Sequence, residues 1–268
     1  MGAQVNYNDN WIPLLENESV LDCLLRVGLV VPHSCQSGIC QTCLMQAIEG
    51  EIPEKAQMGL KPTFKQQNLF LPCQCFPKSD LKIQLPNENG FNIKARLIEK
   101  INLNHNVLQL RLQPETKFEC FPGQYLTLIN PMQIARSYSI ANNPLKDDFI
   151  ELHIRIIPDG KMGSWVQQHA KIGDEVSIQG PAGHCFYTAQ NNNKDQIVLA
   201  GTGTGLAPLY GIAVDAIEHG YRGSIELYHG ALNEDDLYFM KGLKKIAAEH
   251  NNFSYNPCVL HGEEGAFY

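Results

Sequence analysis

Cys35-Gln-Ser-Gly-Ile-Cys40-Gln-Thr-Cys43 is the stretch on which the reading of this chain turns. Its three thiols have the spacing C-x4-C-x2-C, and Cys73 follows after 29 intervening residues. In a reducing compartment such a cluster favours a metal site over disulfides. The spacing suits two irons bridged by sulfides: three thiolates on one loop grip the pair from one side, and a fourth ligand closes the other. Gly38 supplies the backbone freedom such a loop needs, and amides turned toward the sulfides stabilise the negative charge. A structural zinc site is the competing reading, because Cys40 and Cys43 form a C-x2-C pair. Zinc fingers usually present two such pairs, whereas Cys73-Gln-Cys75 has one residue between its cysteines. The other five cysteines, Cys23, Cys75, Cys120, Cys185 and Cys258, are scattered and read as buried structural thiols.

The flanks of the loop predict an apolar helix over 19–27, a strand over 44–49 and a final alternating strand, LKIQL, over 81–85, which is the element order of a β-grasp fold. A length of 268 residues implies two domains, or three if some are small. With 44% hydrophobic and 18% charged residues, the composition is that of a globular protein. A net charge of −7 without any Lys/Arg cluster argues against nucleic acid or an anionic membrane as partner and is compatible with a protein partner. No apolar run approaches the roughly 18–20 residues needed to cross a bilayer. The polar start MGAQVNYNDN lacks the regions of a signal peptide, so the expected location is the cytoplasm.

Beyond the connector Pro86-Asn-Glu-Asn-Gly90 come short alternating strands, NIKARLIE, VLQLRL, QYLTLI and FIELHIRI, with one short helix near 163–170; this predicts a small antiparallel barrel. Within it lies Arg136-Ser137-Tyr138-Ser139, preceded by Phe121-Pro-Gly-Gln-Tyr125 and followed by Gly180-Pro-Ala-Gly183. Arg136 offers a planar cationic fork to a pyrophosphate, Tyr138 a flat face for an isoalloxazine ring, and Ser139 a hydroxyl within reach of the flavin N5. A second phosphate grip is expected at Lys161-Met162-Gly163-Ser164, with Ser164 capping the helix and leaving amides free for an anion. His153 and Arg155 are candidates for contacts along the ribityl and phosphate chain.

After Asn191-Asn-Asn-Lys-Asp195, the apolar strand 197–200 runs into Gly201-Thr202-Gly203-Thr204-Gly205-Leu-Ala-Pro208 and then a helix, the arrangement of a pyrophosphate site. A further strand at 225–229 leads to Gly230-Ala-Leu-Asn-Glu234-Asp235-Asp236. A 2′-phosphate wants Arg or Lys there, so the three acidic residues Glu234, Asp235 and Asp236 favour NADH over NADPH. A helix is expected near 234–249, and the competing reading is that the acidic run only begins it, where carboxylates suit the dipole.

These motifs, in this order over residues 1 to about 260, resemble the ferredoxin reductase flavoprotein superfamily, and the cysteine loop resembles that of plant-type [2Fe–2S] ferredoxins. The resemblance implies an α+β and α/β multidomain chain: a β-grasp ferredoxin domain at 1–88, an FAD-binding antiparallel β-barrel at 89–190 and a parallel α/β NAD-binding domain at 191–268. It implies the same flavin roles for Arg136, Tyr138 and Ser139, and places Thr204 between nicotinamide and flavin. Leu71-Pro-Cys73-Gln resembles the Leu-x-Cys-Gln stretch of oxygenase-reductase ferredoxin domains, which implies Cys35, Cys40, Cys43 and Cys73 as ligands. Many relatives carry Arg and Gly where this chain has Gln36 and Gln41. A ferredoxin domain at the front implies FAD over FMN.

The implied path is a hydride from NADH to FAD, then single electrons through the cluster to a protein acceptor, such as the oxygenase component that reductases of this domain order serve. Flavin, ferric or deoxysugar reduction is a rival activity, and a cluster and flavin carrier without competent NADH oxidation is a rival class. In a doubly wound sheet the nucleotide crevice forms where later strands return beside the first strand. No such strands follow the one expected near 253–260, and nothing in His261–Tyr268 matches the Cys-Gly-Pro type motif of relatives. The strand at 197–200 is therefore expected as an apolar edge, and the NAD-binding domain as incomplete, reduced slowly by NADH and fully by dithionite.

Overall fold

The computed structural model describes residues 2–86, 92–144, 146–188 and 195–261. Residues 87–90 and 191–194 of the two polar connectors, and 262–268 with the terminal Tyr268, lie outside them, together with the expectations attached to them. The chain divides into two compact units. One holds everything up to Ile93 with Thr127–Ser137 and Ser177–Gln179; the other holds Lys94–Leu126, Tyr138–Val176 and the chain from Gly180 onward.

In the first unit, strands β1 (Gln4–Tyr7), β2 (Asn10–Pro13), β3 (Met45–Glu49), β4 (Leu69–Phe70) and β5 (Leu81–Gln84) form a sheet in the order β2-β1-β5-β3-β4, with β1 and β5 parallel. Helix α1 (Val20–Arg26) buries Val20, Leu21, Cys23 and Leu24, and the short helix α2 (Pro62–Gln66) precedes β4. The apolar positions of α1 recur at helical spacing, and Leu81 and Ile83 alternate along β5; both sets join one buried cluster with Val5, Met45 and Phe70. Burying these side chains is the main stabilising term, at about 1.5–3 kcal/mol each. Ser19 starts α1: its Oγ accepts the Asp22 N–H at 3.1 Å. This is the mixed sheet and helix of a β-grasp fold.

The middle of the chain supplies β6 (Ile93–Asn102), β7 (Val107–Pro114), β8 (Tyr125–Ile129), β9 (Ala135–Ser139), β10 (Ile150–Arg155), helix α3 (Lys161–Gln168) and β11 (Glu175–Ala182). The strands form one sheet, β10-β7-β6-β11-β8-β9, in which β7 runs antiparallel to β6 and β10. Ile140, just past β9, bridges Leu152 of β10, and the Ala141 N–H donates to the Glu151 carbonyl at 2.9 Å, so the two ends of the sheet meet and close a barrel. Alternation fails along β10, where Ile150 through Ile154 are all buried. The polar members of that run are satisfied internally: Glu151 accepts from Arg111 and Gln109, and His153 meets Tyr238.

The last segment is β12 (Ile197–Thr202), α4 (Leu206–Glu218), β13 (Ile225–Ala231), α5 (Met240–Glu249) and β14 (Phe253–Val259). All three strands are parallel in the order β12-β13-β14, so among the described residues β12 is an edge, with Val198 57% exposed. One expectation is corrected. The helix expected over 234–249 begins only at Met240, because Phe239 takes φ +60° and interrupts it; Glu234–Asp236 instead forms a single 3-10 turn closed by reciprocal Asn233 and Asp236 hydrogen bonds.

Ser19→Ala should lower the unfolding free energy of this chain by about 1 kcal/mol, the usual value of such a cap. It should appear as a lower urea midpoint with an unchanged m-value; an unchanged midpoint would mean that tertiary packing alone fixes the helix start.

Candidate cluster, flavin and nicotinamide sites

In the loop from Cys35 to Cys43, Gln36, Gly38 and Gln41 all take positive φ, curling the backbone so that amides face sulfur. The Ser37 and Cys40 N–H groups donate to Cys35 Sγ at 3.4 and 3.3 Å, the Cys35 N–H to Cys40 Sγ at 3.4 Å, and Thr42 Oγ1 to Cys40 Sγ at 3.0 Å. Cys43 Sγ lies 3.5 Å from Cys73 Sγ. No three His, Cys, Asp or Glu side chains among the described residues converge as a single metal ion would need. The four thiols fall instead into two pairs, the arrangement two bridged irons require, and the inward amides and hydroxyl suit an anionic cluster.

Two of the proposed ligand thiols, Cys35 and Cys73, are lowered. Burial opposes ionisation of Cys35, but hydrogen bonds from Ser37 and Cys40 outweigh it and bring the thiol down to about 6. A hydrogen bond from Cys43 brings Cys73 down to about 7, and the same contact, with burial, raises Cys43. Cys75 is fully buried, its thiol pushed up to about 12 by burial, and its carbonyl accepts the Val20 N–H at 2.9 Å. Cys75 thus anchors helix α1, while Cys73 faces the loop.

Strand β9 displays the Arg136-Ser137-Tyr138-Ser139 stretch, with Arg136 exposed and the three that follow half-buried. Arg136 Nη1 donates to the Ala135 carbonyl at 2.7 Å, and Ser137 Oγ lies 3.2 Å from Thr127 Oγ1. Two of the expected flavin contacts are corrected. His153 is buried with both ring nitrogens engaged: Nε2 faces Glu151 Oε1 at 3.1 Å and Nδ1 faces the Tyr238 hydroxyl at 3.1 Å. It is a strut between β10 and the segment before α5, with no nitrogen left for a ribityl chain. Ser164 does not cap α3. The turn at Asp159 starts the helix earlier, Gly160 is its N-cap, and the Ser164 N–H is spent on the Gly160 carbonyl at 2.8 Å. Amides of the first turn, at Lys161, Met162 and Gly163, are those a phosphate could use.

A cleft of about 590 Å³ opens at the carboxyl ends of β12, β13 and β14, lined among others by Arg155, Thr202, Gly203, Gly230, Asp236 and Cys258. Gly203 has φ +53° and opens the 3-10 turn Gly203–Gly205, which brings in Thr204 and leads into α4. Gly201 admits Leu209, whose Cδ1 would lie 2.8 Å from a Cβ there. Arg155, expected along the flavin's ribityl and phosphate chain, instead lines this cleft. Of the acidic run only Asp236 lines it; Glu234 and Asp235 are exposed on the 3-10 turn and do not. Asp236 is held by His105 Nε2 at 3.4 Å and by the Asn233 N–H at 3.2 Å. Cys258, read from sequence as a buried structural thiol like Cys185, is half-buried and lines this cleft, while Cys185 is exposed; the position of Cys258 and Gly230 at the ends of parallel strands was the available signal.

Three family models match in chain order: a 2Fe-2S iron-sulfur cluster binding domain at 9–78, an oxidoreductase FAD-binding domain at 94–187 and an oxidoreductase NAD-binding domain at 199–268. The reductase subunit of an aromatic O-demethylase from Amycolatopsis is 32% identical over 93% of this chain and 78% of its own length. The ferredoxin–NAD(P)(+) reductase component of the naphthalene 1,2-dioxygenase system of Pseudomonas putida is 29% identical over 98% of this chain and 81% of its own. Among solved structures, a cytochrome P450 reductase from Amycolatopsis superposes with a TM-score of 0.65 at 28% identity, covering 99% of this chain and 83% of that one. With cysteine pairs, barrel and glycine turn each falling inside the matching domain, this chain belongs to the ferredoxin reductase flavoprotein superfamily, as an oxidoreductase with an N-terminal [2Fe–2S] domain ahead of FAD-binding and NAD-binding domains.

Proposed function

We propose that this chain is an NADH-dependent reductase that passes electrons from NADH through FAD and the [2Fe–2S] cluster to a protein acceptor such as an oxygenase component. The observation that carries this reading is the three-cysteine loop, with its amides turned to sulfur and Cys73 beside Cys43, in one chain with the FAD-binding and NAD-binding domains. Relatives named as reductase components of dioxygenase and monooxygenase systems support the oxygenase acceptor. Bound flavin supplies the conversion between the two-electron chemistry of NADH and single-electron transfer. The work of this chain's residues is positioning. Cys35, Cys40, Cys43 and Cys73 hold the irons. Arg136 and the first-turn amides of α3 neutralise flavin phosphates, Tyr138 stacks on the ring and Ser139 faces N5. Thr204, with Gly201, Thr202, Gly203 and Gly205, seats the dinucleotide, and Arg155 faces its phosphates. No general acid or base is required. The domains we assign are 1–88, 89–190 and 191–268.

The test is NADH-driven reduction of cytochrome c. Cys73→Ser should remove the cluster absorbance and cut cytochrome c reduction at least tenfold while leaving flavin bound, whereas Cys75→Ser keeps the cluster. Undiminished reduction by cluster-free protein would take the cluster off the path and favour direct flavin or ferric reduction.

NADH should be preferred to NADPH by about tenfold or more, since one unfavourable charge contact of about 1–3 kcal/mol suffices. Asp236 at the cleft motivates this. In Asp236→Asn the kcat/KM ratio for the two cofactors should narrow; an unchanged ratio would show that Asp236 only closes its own turn.

A further inference from the structure

Three buried or half-buried hydroxyls join the cluster loop to the strand that carries Arg136-Ser137-Tyr138-Ser139. Thr42 Oγ1 lies 3.0 Å from Cys40 Sγ and 2.8 Å from Thr127 Oγ1, and Thr127 Oγ1 lies 3.2 Å from Ser137 Oγ. Thr42 is 3% and Thr127 2% exposed, so neither has bulk water as an alternative partner. All three residues belong to the first compact unit, although Thr42 and Thr127 are 85 positions apart in sequence. Threonine at two buried positions where valine would fill the same space needs a polar reason, because a buried hydroxyl without partners is costly.

Each hydroxyl has one proton to give, and this fixes the direction of the chain. A cluster-bound thiolate is a stronger acceptor than a neutral hydroxyl oxygen, so Thr42 donates to Cys40 Sγ. Its oxygen is then free to accept from Thr127, whose own oxygen accepts from Ser137. Successive donors polarise one another by about 10–30% per bond, so Thr127 and Ser137 strengthen the donation that Thr42 makes. We propose that Ser137, Thr127 and Thr42 form a directed hydroxyl relay that raises the cluster's reduction potential from the flavin-motif strand, with Thr127 as the positioning residue at its centre. Hydrogen bonds to sulfur favour the reduced, more negative cluster. Reduction adds one electron, supplied through the flavin, and moves no proton along the relay; each hydroxyl keeps its hydrogen.

This rests on Cys40 being a cluster ligand, as proposed above, and the experiment separates the two. The [2Fe–2S] absorbance and EPR signal of the wild-type holoprotein test the ligand assignment; the midpoint potential of variants that keep that signal tests the relay. At a fixed applied potential, Thr42→Val should lower the reduced-to-oxidised ratio about tenfold, equivalent to about 59 mV for a one-electron couple. Thr127→Val should lower it about two- to threefold with the cluster content unchanged, and Thr127→Ser, which keeps the hydroxyl, should restore the wild-type ratio. Should Thr42→Val fail to assemble its cluster, the Thr127 pair decides. A wild-type potential in Thr127→Val, or equal shifts in Thr127→Val and Thr127→Ser, would overturn the relay and reduce Thr127 to a packing residue.

Discussion

The rest of this structure depends on turning backbone N–H groups toward sulfur. A cluster carried by four thiolates is an anion in a partly buried place, and it is held only where donors already face it. Between Cys35 and Cys43 this is achieved by three residues with positive φ, two of them glutamines at an energetic cost that glycine would avoid. At the third, Gly38, a Cβ would approach Gln74 Cγ to 2.8 Å, so glycine is what lets the Cys73 turn close on the loop. That turn is fixed in its own right. Gln74 Nε2 reaches the Cys73 carbonyl at 3.0 Å, and Cys75 is tied to the start of α1. Folding of the small apolar core and placement of the fourth ligand are therefore one event.

The nicotinamide end uses a different device for a different anion. Glycine at the end of β12 brings the backbone close, the 3-10 turn exposes amides, and the cleft follows from three parallel strands ending on one level. Arg155, at the exposed end of an otherwise buried strand, supplies a cation there. The neighbouring His229 is fully buried and lowered to about 4 by that burial, so it stays neutral across the physiological range and adds no charge to the site.

What sequence made legible was local. The cysteine spacing, the glycine turn and the strand periodicities depend on near neighbours, and apart from the start of α5 the expected strands and helices lie within a few residues of their bounds. What it did not show depends on distant partners or on silent backbone choices. Glu151 and His153 have the alternation of solvent-facing positions, yet Arg111, Gln109 and Tyr238 bury them. Phe239 carries no hint of the left-handed conformation that delays α5, and Gly160 displaces Ser164 as cap because the preceding turn at Asp159 sets the helix start. Glu234, Asp235 and Asp236 are indistinguishable in composition; only the 3-10 turn decides that Asp236 alone lines the cleft. Thr127 had no signal at all, since its partner lies 85 positions away.

The central claim is that one chain carries both a flavin and a two-iron cluster. Anaerobic reduction of the purified holoprotein by dithionite, followed by visible absorbance and low-temperature EPR on the same sample, tests it most directly. The account predicts bleaching of the flavin band together with a rhombic signal that integrates to a single spin per chain, as a reduced [2Fe–2S] pair gives. Bleached flavin without that signal, with zinc in the metal analysis, would contradict it.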